Sequence, residues 1–189
     1  MLITLITLPV VSLASGGAKL ASNLGKQIVC VADTGSATVH STFNHALNAS
    51  FQIVDGMVNM AESFVGVPYL HGGTSMIGFD CSGFVSHIFK SFGLEIPRSS
   101  CQQAKLGAKI SKDEAQKGDL LFFRGRGRHA GIGHVALVLS NDNGELKIAH
   151  ATNSRGVIVE MLNADTYFLS RFVKAVRVNY LKLLPVQSE

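Results

Sequence analysis

Between Phe51 and Val65 the apolar residues Phe51, Val54, Val58, Ala61 and Val65 recur at steps of three and four, which gathers them on one face of a helix. Pro68 closes that element, because the residue before a proline is pushed out of the helical region. Gly72-Gly73 then marks a tight loop. A second helix is expected from Cys81. Phe84, Ile88 and Phe92 recur at every fourth position, with Val85 and Phe89 beside them, and Gly93 stops it. Asp80 and Ser82 are both capping types at its start. Pro97-Arg98 leads into a weakly helical stretch from Ser99 to Leu106.

After Gly118 the pattern turns to strand. Leu120 to Phe123 and His134 to Leu139 are short apolar runs, and Asp142-Asn143-Gly144 is a turn signal. Leu146 to Thr152 and Val157 to Met161 read as two more strands around a turn at Asn153 to Gly156, and Phe172 to Val178 as the last. Helices first and neighbouring strands afterwards predict an α+β fold with helices packed on an antiparallel sheet.

The ends read differently. Leu2 to Ala14 is an apolar run followed by small residues, like a secretory signal with an exit after Ala14, although no Lys or Arg precedes it. It falls short of the roughly 18 apolar residues that a spanning helix needs, as does every other run. Residues 15–50 are rich in Gly, Ser, Ala, Asn and Thr and read as an extension or linker. His40 and His45 lie there without partners at metal-ligand spacing. The expected organisation is a signal-like segment over 1–14, an extension over 15–50, a body over 51–182 and a tail over 183–189.

Composition narrows the class. A chain of 189 residues with 47% hydrophobic and only 16% charged residues can bury a core and is not a disordered sequence. The net charge of +4 is spread out apart from Arg124, Arg126 and Arg128, too little to indicate a nucleic-acid partner. Of three cysteines, Cys30 and Cys101 can pair in an oxidising compartment, which leaves Cys81 as a thiol.

Cys81 stands where the loop Gly78-Phe79-Asp80 enters a helix. A helix N-terminus favours thiolate through its dipole and free N–H groups, and the same N–H groups can hold an oxyanion. By position alone a small apolar residue explains Cys81 as well. A nucleophile also needs a base and a group to orient that base. His134 opens one strand and His150 lies in the next, so a turn between them brings both side chains to one face. His129 is a rival base, and Asn153 a rival third group; His134 is better fixed because it leads directly into an apolar strand.

These segments resemble the NlpC/P60 family of papain-like cysteine peptidases. The matching pieces, in the family's order, are Val67-Pro68-Tyr69-Leu70-His71-Gly72-Gly73, Phe79-Asp80-Cys81-Ser82-Gly83-Phe84-Val85, Ile96-Pro97-Arg98-Ser99-Ser100 with Gln103, Gly118-Asp119-Leu120-Leu121-Phe122-Phe123, and Gly133-His134-Val135-Ala136-Leu137-Val138 with His150. They cover roughly residues 55–180. The resemblance implies a papain-like fold and an exported, periplasmic or envelope-bound hydrolase. Its expected substrate is the stem peptide of peptidoglycan, cut between D-γ-glutamyl and a diamino acid such as meso-diaminopimelate. It implies Cys81 as nucleophile, His134 as base and His150 as the third member of the triad. Tyr69, Asp80 and Ser82 are implied on the substrate side and Arg98 in support, with no metal or organic cofactor.

Two features go beyond the resemblance. The run from Arg124 to Arg128 borders the expected cleft and suits carboxylates of wall or stem peptide, or else is a solvated basic loop. Rival functions are a thiol amidase or lipid acyltransferase on the same fold, which calls for an apolar patch beside the cleft, and a non-catalytic wall-binding protein.

Overall fold

The computed structural model describes residues 36–127 and 130–183. The signal-like segment over 1–14, Cys30, Arg128, His129 and residues 184–189 lie outside the described residues. The chain divides into one unit over Met1–Phe43 and another over Asn44–Glu189, and apart from the first residues of the opening helix the second holds everything that follows.

Helix α1 spans Ser36–Ser63, beginning well before the expected Phe51. Its inward face is also rotated from the expected one. Phe51 and Val65 are exposed, while Met57, Val58, Ala61 and Phe64 are buried, with Ile53, Val54 and Met60 packed beside them. That second set is denser in apolar residues at spacings of three and four, so it makes the better stripe against a core. The helix ends at Ser63, and Gly66 turns the chain with φ +92° before Pro68 is reached.

A hairpin of two short strands, β1 (Thr74–Ser75) and β2 (Gly78–Phe79), precedes helix α2 (Cys81–Ser91), which starts where expected. Helix α3 is one turn, Ser100–Gln103. Six strands follow: β3 (Gly107–Ile110), β4 (Leu120–Arg124), β5 (Ile132–Asp142), β6 (Glu145–Thr152), β7 (Gly156–Met161) and β8 (Phe172–Val178). Helix α4 (Thr166–Leu169) lies between β7 and β8, and helix α5 (Tyr180–Leu183) follows β8. The strands form one antiparallel sheet in the order β3-β8-β4-β5-β6-β7. The α+β class follows from the sequence; β3 and α4 do not, being too short to carry a pattern.

Both faces of the sheet are covered, which explains why β4 reads as a continuous apolar run. Leu120 and Phe122 join the core shared with α1 and α2, while Leu121 and Phe123 join a second core with Ala136, Ile148, Leu162 and Phe168. All four are fully buried, and truncating either phenylalanine to Ala costs about 3–5 kcal/mol. The β5–β6 hairpin closes through Asn143 and Gly144 at φ +56° and +93°, the two left-handed positions of a hairpin turn. A one-residue bulge between Val138 and Ser140 then shifts the pairing, and it is this shifted register that brings residues 134 and 150 to one face.

Candidate active site

Asp80 caps α2 with an extended backbone, its Oδ1 accepting the Gly83 N–H at 2.7 Å. Four more donors reach the same carboxylate. Arg98 donates Nη1 to Oδ1 at 2.9 Å and Nη2 to Oδ2 at 2.6 Å, Gly72 N–H reaches Oδ2 at 3.0 Å, and the Ser82 hydroxyl reaches Oδ1 at 3.2 Å. Burial alone would raise this carboxyl, but Arg98, the Gly83 N–H and Ser82 together hold it below the usual range. Five donors fill the lone pairs of a carboxylate, so Asp80 is fully engaged within the protein. The buried Gln103 supports the same turn, donating to Ser82 O, Ser86 Oγ and Pro97 O. Gly83 is required by close approach: a Cβ there would stand 2.0 Å from the Gly73 carbonyl.

This frame sets Cys81 at the first turn of α2, buried to 9% exposure. Its sulfur lies 4.0 Å from the Gly133 carbonyl and takes the N–H of Val135, so it rests against the backbone on both sides of His134. Here the expectation of a lowered thiol is corrected. Burial pushes the Cys81 thiol up and the Asp80 charge adds to it, and the N–H groups of Val135, Ser82 and Cys81 itself do not offset them.

His134 and His150 meet directly. His134 Nε2 is 2.9 Å from His150 Nδ1, and the rings cross at 64° with centroids 5.1 Å apart. His150, not Asn153, takes the place beside His134. Burial pushes the His134 imidazole down to about 3, helped by His150 and opposed by Glu160, so the ring rests neutral. Phe168 stacks on His134 at 4.9 Å and meets His150 edge-on at 4.7 Å. Asp165 holds Phe168 in place by accepting the N–H groups of Tyr167 and Phe168 as the cap of α4.

Beyond His150 the structure adds residues that the sequence did not point out. His150 Nε2 lies 2.8 Å from Glu160 Oε1, and Arg155 Nη1 donates to Glu160 Oε2 at 2.8 Å. The hydrogen bond from His150, with Arg155 and against burial, holds the Glu160 carboxyl down at about 2. One signal was available: Glu160 is a lone charge in the apolar strand Val157-Ile158-Val159-Glu160-Met161. It stands two residues from Ile158, the cross-strand partner of His150, and hence on the same face.

Tyr69 is carried to the site by a stitched segment. Gly66 N–H donates to Val157 O and Val157 N–H to Val67 O, at 2.9 and 2.8 Å, while Leu70 N–H donates to Phe79 O and Phe79 N–H to Pro68 O. Burial raises the Tyr69 phenol, followed by the fields of Cys81 and Asp80. Tyr69 and His134 line one cleft of about 700 Å³ together with Arg124, Arg126, Arg155 and Arg171, against a single carboxylate, Asp165. Arg171 is fixed there by donating to Gly125 O at 2.7 Å and by lying 4.4 Å over the Tyr167 ring. The basic wall expected from Arg124 to Arg128 thus includes two arginines from other elements.

The NlpC/P60 family matches residues 66–177. Over 114 residues the chain is 43% identical to a γ-D-glutamyl-L-lysine dipeptidyl-peptidase of Bacillus cereus, a match that takes in 60% of this chain and 33% of that protein. It is 35% identical over 136 residues to a probable endopeptidase NlpC of Escherichia coli, covering 71% of this chain and 84% of the relative. Among solved structures, an NlpC/P60 family protein from Bacillus cereus superposes with a TM-score of 0.60 at 34% identity, over 70% of this chain and 40% of that one. The chain thus spans only a third of the first of these relatives and most of the second.

Proposed function

Because this chain belongs to the NlpC/P60 family, we propose that it is a cysteine endopeptidase of the bacterial envelope that cuts peptidoglycan stem peptides, at the bond between D-γ-glutamyl and the diamino acid. One observation carries the reading: the hydrogen-bonded pair of His134 and His150 on strands next to the backbone on which the Cys81 sulfur rests. The bond assignment draws support from the Bacillus cereus relative, a γ-D-glutamyl-L-lysine dipeptidyl-peptidase.

The proposed step starts from a neutral thiol and a neutral imidazole. His134 Nε2 is committed to His150, which leaves Nδ1 as the atom that takes the Cys81 proton. The thiolate then attacks the amide carbonyl, and the N–H groups at the start of α2, with Tyr69 beside them, stabilise the oxyanion. The protonated His134 gives its proton to the leaving amine. A water deprotonated by His134 releases the thioester. Asp80 and Ser82, engaged with Arg98, hold the nucleophile's turn in place. The arginine-lined cleft suits a substrate dense in carboxylates, as stem peptides are, better than an acyl chain.

Digestion of purified peptidoglycan and of soluble stem peptides, with fragments read by mass spectrometry, tests this. Fragments ending in D-glutamate that vanish with Cys81→Ala are the expected result. No release from either substrate overturns the reading.

A further inference from the structure

Glu160 stands at the far end of a row of side chains drawn from three successive strands: His134 on β5, His150 on β6 and Glu160 on β7. The contacts are 2.9 Å from His134 Nε2 to His150 Nδ1 and 2.8 Å from His150 Nε2 to Glu160 Oε1. The His150 side chain is fully buried between these two partners. A carboxylate can only accept, so His150 must carry its proton on Nε2. With a single proton on that ring, its Nδ1 is bare and accepts, so His134 carries its own proton on Nε2. His134 Nδ1 is then bare. From this chain of donors and acceptors we infer that Glu160 is a positioning residue that sets the tautomers of both histidines and so makes Nδ1 of His134 the base. The inference rests on the proposed thiol hydrolase for its kinetic consequence, while the tautomers are a property of the folded chain alone. Arg155 completes the device. Its Nη1 donates to Glu160 Oε2 at 2.8 Å and its Nη2 lies 3.6 Å from Asp165, so the carboxylate is fixed from its other side.

The arrangement makes a specific demand on the nearly isosteric Glu160→Gln. A guanidinium donates and never accepts, so it draws the amide oxygen to itself. The amide NH₂ is left facing His150 Nε2, which must become the acceptor. The His150 proton moves to Nδ1, the His134 proton follows to its own Nδ1, and the base is lost. A wrong tautomer at the corresponding histidine of serine hydrolases costs about 10⁴ in kcat. Removing Arg155 frees the amide to turn its oxygen back towards His150.

The experiment compares wild type, Glu160→Gln, Glu160→Ala, Arg155→Met and the double variant Glu160→Gln/Arg155→Met, all in the full chain. ¹⁵N NMR of labelled histidine reads the tautomers, and stem-peptide hydrolysis reads kcat. Wild type is expected to show both rings protonated on Nε2, and Glu160→Gln both on Nδ1. Glu160→Gln is expected to lose kcat by about 10²–10⁴, more than Glu160→Ala, and the double variant to recover at least tenfold over Glu160→Gln. Unchanged tautomers in Glu160→Gln, or a double variant no better than Glu160→Gln, overturn the inference; a merely structural role for Glu160 has no reason to be relieved by a second substitution. If the wild-type chain cleaves nothing, the proposed hydrolase fails, and the spectra still decide the role of Glu160.

Discussion

Arg98 grips Asp80 through both terminal nitrogens, at 2.6 and 2.9 Å, and Asp80 in turn caps the turn that carries Cys81. Arg98→Met leaves the carboxylate charge without its counter-ion beside a thiol that this charge already pushes up. Iodoacetamide labelling of Cys81 at pH 8 is expected to slow by about two- to tenfold, which corresponds to a further rise of up to one pH unit in the thiol. Urea unfolding is expected to show a loss of about 1 kcal/mol, kept small because the Arg98 side chain is 43% exposed and solvent screens the pair. Labelling as fast as in wild type would sever Arg98 from the Cys81 thiol.

His134 gives stability a pH slope with a definite sign. Folded, its imidazole is held down to about 3; unfolded, it titrates near 6.5. Between those values the unfolded chain binds a proton that the folded chain refuses. The contribution is therefore fully present above about pH 6.5 and drains away as pH falls, by up to about 1.4 kcal/mol per unit. Glu160 adds a second loss, starting near pH 4.3 and ending at about 2. Urea melts at pH 7, 6 and 5 are expected to converge for wild type and His134→Asn, with wild type losing about 1 kcal/mol more per unit. Parallel trends would contradict a neutral buried His134.

Phe168 is the ring that keeps that imidazole dry. It is 8% exposed, stacked on His134 and edge-on to His150, while Phe123 borders His134 from its other neighbour strand. Phe168→Ala is expected to cost about 3–5 kcal/mol in stability. It also admits water to His134, whose titratable neighbours are His150 and Glu160, and so raises the imidazole. The acid limb of kcat/KM, expected well below pH 6.5 in wild type, should move up towards that value. An unmoved limb would mean that burial by Phe168 is not what depresses the base.

Arg124 and Arg126 face the cleft without holding any catalytic group. Exposed charges of this kind contribute about 0.2–1 kcal/mol each to an ion pair. Arg124→Gln/Arg126→Gln is therefore expected to raise KM for a carboxylate-rich stem peptide by about 2- to 30-fold at low salt, with kcat little changed. The effect should fade as ionic strength rises or when the peptide's carboxylates are amidated. A KM that ignores both substitutions would return this wall to the role of a solvated surface.

Much of the site was legible because it is written in local signals. A cysteine after Asp80 at the start of an amphipathic stretch marks a helix entrance, and a turn of Asn143-Gly144 between apolar runs marks the hairpin that carries His134 and His150, although the bulge between Val138 and Ser140 that puts the two on one face has no such signal. Residues whose meaning depends on a third strand were not legible. Glu160 gains its role only when β7 pairs with β6, and Phe168 only when a one-turn helix folds over that face. The thiol's direction was misjudged for a similar reason. The helix start is visible in sequence, but the burial that outweighs it is a property of the folded site, where the sulfur rests against the backbone at Gly133 and Val135, more than fifty residues away.

The stitched segment that delivers Tyr69 has a second effect, on how the sheet meets other chains. β7 is a marginal strand, and an uncovered margin is a template on which a further strand can add. Gly66 and Val67 already occupy the outward backbone groups of Val157 at the start of that margin. At the opposite margin β3 is four residues long, exposed and carries Lys109, features that discourage pairing. The ordering of the cleft-lining Tyr69 and the protection of the sheet against self-assembly thus depend on the same few residues, and a change that loosens Gly66 to Leu70 should lower solubility along with turnover.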